Sequence, residues 1–158
     1  MTENHEFYIR KVLELAALSI EHKYEPFSAL LVCDDQIVLA DESTSYAEND
    51  VTRHAELNLI SKATRTLDRE TLSRCTLYSS TEPCAMCSVA IYRAGIPRVV
   101  YSCPSAKLGE IRGSDFDLYS REVFARGKRH TEVIGPVLEE EGINIHLDYL
   151  KSLAENPK

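Results

Sequence analysis

His54-Ala55-Glu56 and, further along, Pro83-Cys84-Ala85-Met86-Cys87 supply one imidazole, two thiols and one carboxylate. Zinc sites that do chemistry take three protein ligands and leave a fourth position for water, whereas structural zinc sites close with four. His54, Cys84 and Cys87 make three candidate ligands. Glu56 is the candidate to take a proton from the water that such a site would hold. Two thiolates and a neutral imidazole bring a divalent zinc ion to about zero net charge, which makes it a weaker acidifier of water than a site of three neutral histidines. A general base is then the more necessary. Two other readings of the same residues stand beside this one. Cys84-x-x-Cys87 could be a redox pair with His54 a core histidine, or half of a structural zinc site completed by His54 and Cys103 or Cys75. A structural site would leave Glu56 idle.

Both ligand segments must be carried by helix starts that converge. A helix N-terminus carries partial positive charge and unpaired N–H groups, which favour thiolate over thiol. Cys84 and Cys87, three apart, can aim both sulfurs at one point from a first turn, and Pro83 fits just ahead of it. That helix runs from Cys84 to about Ala94 and closes at Gly95. A second helix begins near Thr52, an N-cap residue type, and carries His54 and Glu56 in its first turn. Residues i and i+2 do not share a face of a regular helix, so His54 and Glu56 must reach the site from different sides.

Around these segments the pattern alternates. Ile9, Val12, Leu13, Ala16 and Ile20 form one apolar stripe, a helix stopped by Pro26. Phe27 to Val32 and Ile37 to Ala40 read as a hairpin turning at Asp34-Asp35, followed by a polar loop from Ser43 to Val51. Strands are expected at Thr76-Leu77-Tyr78-Ser79, Val99-Val100-Tyr101 and Val133-Ile134. Between the last two lie a polar irregular stretch, Ser102 to Ser114, and a helix from about Phe116 to Ala125; a terminal helix starts at Val137. Helix, hairpin, then alternating helix and strand argue for an α/β domain with helices on both faces of one mixed sheet.

The 158 residues, 44% apolar and 27% charged, fit one domain (1–158) without repeat or linker. Eighteen Lys and Arg against 25 Asp and Glu leave a net charge of −7. That balance makes nucleic acid an improbable partner, since Lys and Arg supply most phosphate affinity; the one basic run, Arg126-Gly127-Lys128-Arg129, reads as a solvated loop or helix end. The polar start, Met1-Thr2-Glu3-Asn4, and the lack of a long apolar stretch point to a cytoplasmic chain with reduced thiols and no membrane partner. Cys33, Cys75 and Cys103 sit in apolar runs as small core residues.

The order H-x-E then P-C-x-x-C is the mark of zinc-dependent base deaminases. At these residues the chain resembles the cytidine deaminase-like superfamily, and within it the purine-deaminase branch, from about Ala17 to Leu150. Pro26-Phe27-Ser28-Ala29-Leu30-Leu31-Val32 resembles the family's first strand. Asp50-x-Thr52-x-His54-Ala55-Glu56 resembles the Asp-Pro-Thr-x-His-Ala-Glu run of bacterial guanine deaminases and tRNA adenosine deaminases. Thr81-Glu82-Pro83-Cys84-x-Met86-Cys87 and Ala90-Ile91-Tyr92 match the same branch.

The resemblance implies a three-layer α/β/α sandwich around a central mixed five-stranded sheet, one zinc ion per chain, and a homodimer with the site close to the subunit interface. It implies that the Ala55 N–H holds a ring carbonyl or nitrogen, that backbone carbonyls near Thr81 and Glu82 receive the exocyclic amine, and that Phe27 lies near the base. Two positions depart from the pattern: Ser43 stands where relatives carry a base-contacting Asn, and Ser28 where many carry Gly. One hydroxyl cannot make an amide's paired contacts, so substrate choice turns on Ser43. Asp115-Phe116-Asp117 resembles a region in which an acidic residue assists at the purine, which makes Asp115 or Asp117 a candidate; a solvated helix start is the plainer reading. The implied activity is hydrolytic deamination of a free aminated base, guanine to xanthine with release of ammonia. Cytosine, guanosine, a pterin or triazine amine such as ammeline, and adenosine in tRNA are the alternatives within that chemistry. A structural-zinc domain is the non-enzyme alternative.

Overall fold

In the computed structural model, which describes residues 4–114 and 116–157, the apolar stripe at the N-terminus forms α1, His5–Glu21, and buries Ile9, Val12, Leu13 and Ala16. The hairpin follows as β1, Ser28–Cys33, and β2, Gln36–Glu42. Then come α2, Ser45–Glu48; α3, Ala55–Thr66; α4, Arg69–Leu72; β3, Cys75–Thr81; and α5, Ala85–Ala94. β4, Arg98–Cys103, α6, Ser105–Arg112, α7, Ser120–Ala125, β5, Glu132–Ile134, and α8, Glu139–Glu155, complete the chain. The strands form one five-stranded sheet in the order β2-β1-β3-β4-β5. β1 is antiparallel to both β2 and β3, while β3, β4 and β5 are parallel.

β1 and β3 are buried along their whole length, and the two-residue period of a strand explains how. Ala29, Leu31 and Cys33 face one apolar cluster with Leu59, Ala63, Ile91 and Phe124. Leu30 and Val32 face another with Ile9, Val12, Tyr78 and Val100, joined by Val137 and Ile145. Helices α3, α5 and α7 cover the first face, and α1 and α8 the second. This is a three-layer α/β/α sandwich on a mixed five-stranded sheet, as the family resemblance implies. Cys33, Cys75 and Cys103 are buried in it.

The site lies where β3 and β4 end and β1 begins, since Ala29 pairs with Ser79 and Thr81 with Cys103. Outer crevices at the carboxyl ends of parallel strands are the usual ligand position in such sheets. The structure departs from the sequence expectations in four segments. The polar stretch Ser43 to Val51 contains α2, a single turn that ends with Asn49 in the left-handed region. Ser102 to Ser114 is mostly α6, a helix with no apolar stripe; its first residue, Ser105, gives its N–H to the Glu82 carboxylate at 3.0 Å. The helix expected from Phe116 begins only at Ser120, again where the Glu82 carboxylate accepts its N–H, at 3.1 Å. The start of α3 moves as well. Thr52 spends its N–H and hydroxyl on Asp50 Oδ1, at 2.9 and 2.6 Å, a local turn, and His54 takes the N-cap position.

Candidate active site

α3 and α5 pack against each other and start at the same edge of the sheet. Their N-cap residues are His54 and Cys84, both with extended backbone (φ −66°, ψ 153° and φ −66°, ψ 173°). Each therefore stands just outside its helix. His54 Nδ1 lies 3.6 Å from Cys84 Sγ and 3.6 Å from Cys87 Sγ, and the three ligand atoms lie within 4.8 Å of one another. A tetrahedral ion with ordinary zinc–sulfur and zinc–nitrogen bonds sets nitrogen and sulfur roughly 3.6 Å apart. The residues fit zinc. Cys75 and Cys103 do not join them among the described residues, so the closed four-ligand site considered from the sequence is not formed.

Without metal the cluster shares its charge unevenly. The Cys84 thiol is drawn down to about 4, chiefly by hydrogen bonding from Cys87 and then from His54, against the opposing effect of burial. Cys87 is pushed up by the same bond and by its burial. The bond to Cys84 raises His54. Cys84 Sγ also faces the Cys87 N–H at 3.5 Å, the first-turn donor that favours thiolate.

Glu56 is the second residue of α3, and because His54 precedes the helix the separation of i and i+2 does not apply. Its carboxylate is buried, and burial raises its pKa. Oε1 lies 2.8 Å from Ser79 Oγ, which is also 2.6 Å from the Thr81 carbonyl. His54, Glu56 and Cys84 open onto a cavity of about 150 Å³. A larger groove, about 580 Å³ between α5 and α7, touches none of the candidate ligands or Glu56; the smaller cavity is the candidate active site.

Phe27, Ser43, Thr81 and Glu82 line this cavity. Ser43 is buried, with its hydroxyl 3.3 Å from Arg53 O, and Asn58 Nδ2 donates to the same carbonyl at 3.4 Å. Thr81 Oγ1 is paired at 2.8 Å with His146 Nε2 of α8. The Glu82 carboxylate turns to α6 and α7, accepting also from Ser120 Oγ at 2.6 Å. Ala55 is fully buried at the first position of α3 and is not part of the cavity wall. Asp117 is exposed, 3.4 Å from Ser114 Oγ, and away from the cavity. Asp115 lies outside the described residues.

Sequence reasoning missed Glu25, Ser105 and Leu108, which complete the wall, and His146 and Ser79 behind it. Pro26 marks the turn beside Glu25, a signal that could have found it. His146 sits on the apolar face of a helix and offers no local signal.

The family model for the cytidine and deoxycytidylate deaminase zinc-binding region matches residues 2–103. The chain belongs to this deaminase family. It is a zinc-dependent deaminase, a hydrolase, and its cofactor is zinc. It is 34% identical over 144 residues to a probable cytosine deaminase of Schizosaccharomyces pombe, spanning 88% of each chain. To the guanine deaminase of Bacillus subtilis it is 34% identical over 117 residues, 73% of this chain and 75% of the relative. A solved structure of a NE0047 mutant in complex with 8-azaguanine superposes with a TM-score of 0.82 at 25% identity, covering 92% of this chain and 84% of that one. No helix among the described residues is long and apolar enough to cross a membrane.

Proposed function

We propose that this deaminase acts on a free aminated heterocyclic base, and that this base is guanine. The observation that carries the reading is a single cavity, about 150 Å³, onto which a buried glutamate and two of the three converging ligands open. Guanine is favoured by the similarity to the Bacillus subtilis guanine deaminase and to the protein crystallised with 8-azaguanine. Cytosine is the second reading, favoured by the Schizosaccharomyces pombe relative that matches 88% of both chains. A net charge of −7 weighs against tRNA.

His54, Cys84 and Cys87 would hold the zinc ion, which when bound acidifies water at neutral pH. Glu56 takes a proton from the attacking water and gives one to the ring nitrogen beside the amine-bearing carbon. It then takes the proton of the newly added hydroxyl and passes it to the departing amine. The water oxygen becomes the product carbonyl and ammonia leaves. Burial suits Glu56 to this work, because a raised pKa makes holding a proton less costly between the two transfers. The Ala55 N–H, the Thr81 and Glu82 carbonyls, Phe27 and Ser43 would orient the base. A homodimer is part of the reading: Met86, Val89 and Leu118 expose apolar surface at and around the α5–α7 groove.

Ammonia release by the zinc-loaded protein against guanine, adenine, cytosine, guanosine, pterin and ammeline tests the assignment. Guanine should be turned over fastest. A clear preference for another panel member transfers the reading to that base, and silence across the panel with one zinc per chain overturns free-base deamination.

A further inference from the structure

The cavity holds a third carboxylate with no part in the chemistry above. Glu56 moves protons and Glu82 is spent on α6 and α7, but Glu25 lines the same wall as Phe27. A three-residue turn sets these two side by side: the Phe27 N–H donates to the Glu25 carbonyl at 2.8 Å, across Pro26, whose ring fixes its own φ. Arg112, the last residue of α6, forms an ion pair with Glu25 Oε1. The guanidinium is itself held, 5.5 Å from the Phe27 ring centroid and 5.3 Å from that of Tyr149. Both partners of the pair are largely buried, with side chains 22% and 28% exposed. Glu25 is thereby oriented from one side only. Its Oε2 takes no hydrogen bond among the described residues.

A carboxylate oxygen accepts and does not donate. The donor it would meet on a flat heterocycle is a ring N–H. With the amine-bearing carbon at Glu56, the rest of the base meets the remaining wall; there the N–H at the nitrogen that bears the sugar in a nucleoside stands across the ring from that carbon in cytosine, and beyond N3 along the same edge in guanine. Nucleosides have a carbon there, which covers the carboxylate oxygen without offering it a donor, and a nucleotide adds like charge. We propose that Glu25 is a specificity-determining residue whose free carboxylate oxygen accepts this N–H and so selects free bases over nucleosides. Ser43, with one hydroxyl already turned to Arg53 O, offers no anionic acceptor of its own. The inference rests on the free-base reading above and goes beyond it in naming the group that enforces it.

The test compares each base with its analogue methylated at the sugar-bearing nitrogen: guanine with 9-methylguanine, and cytosine with 1-methylcytosine. Wild-type, Glu25→Gln and Glu25→Asp proteins are measured at equal zinc content, with melting temperatures checked. A hydrogen bond to a charged group corresponds to roughly 10- to 100-fold in kcat/KM, and the wild type should favour the N–H form by that much. Glu25→Gln should lose most of this preference through a raised KM for the free base, while Glu25→Asp keeps part of it. Should Glu25→Gln fail to fold, Arg112→Lys, which loosens the carboxylate without removing the cation, should also lower the preference. Turnover of a free base with an unchanged preference in the variants overturns the role of Glu25 and leaves the free-base reading standing. Absence of turnover of either base by the wild type overturns both.

Discussion

The two sides of the cavity are built by different means. On the reacting side, His54 and Glu56 stand at one helix start and Cys84 and Cys87 at another, and each pair is fixed by backbone within four residues. On the reading side, Glu25, Phe27, Arg112 and His146 come from the turn after α1, the residue before β1, the end of α6 and the middle of α8, and they meet across the fold. On the proposed reading, short-range geometry sets what reaction occurs and long-range packing sets on what. The first can be carried from chain to chain as a motif, while the second can be rebuilt without disturbing it.

The largest effect should come from breaking the reacting side. Cys84→Ala removes one of three ligands, and zinc content should fall below about a tenth of an ion per chain with turnover down at least ~10³-fold, because catalytic sites have no spare protein ligand. Full zinc content by metal analysis would refute the ligand role.

On the reading side, His146 offers a gentler break. It is buried, its ring 5.2 Å from that of Phe27, its Nε2 paired with Thr81 and its Nδ1 without a partner among the described residues. Burial depresses its pKa to about 4, from an ordinary 6.5. The unfolded chain then binds the proton more readily, so stability is full above pH 6.5 and falls by about 3 kcal/mol as pH drops toward 4. Urea midpoints across that range should fall less steeply in His146→Phe than in the wild type, and parallel slopes would remove His146 as the cause. The smallest effect belongs to Asp117, exposed and outside the cavity. Asp117→Asn should change kcat/KM by less than about twofold, as surface substitutions generally do, and a larger loss would place Asp117 at the substrate after all.

The same division governs what could be read from the sequence. His54, Cys84 and Cys87 were legible because their spacing encodes their meeting, and β1 because an unbroken apolar run suits a strand covered on both faces. The start of α3 lies at His54 rather than Thr52, since a Thr hydroxyl can cap a helix or close a local turn with Asp50, and the composition does not distinguish the two. Helix α6 was missed for a deeper reason. It has no apolar stripe, and what anchors its start is a carboxylate from the end of β3, Glu82, distant in the chain. Glu25 and His146 gain their surroundings only when α6 and α8 close over the sheet, so no local pattern announces them.

The central claim is that Glu56 does the proton transfers in a zinc site built from those two helix starts. Ammonia release from the preferred base, measured for wild type and Glu56→Gln at equal zinc content and equal melting temperature, tests it most directly. Glu56→Gln should bind zinc and fold normally but lose at least ~10³-fold in kcat. A zinc-loaded Glu56→Gln protein that turns over at near the wild-type rate would contradict it.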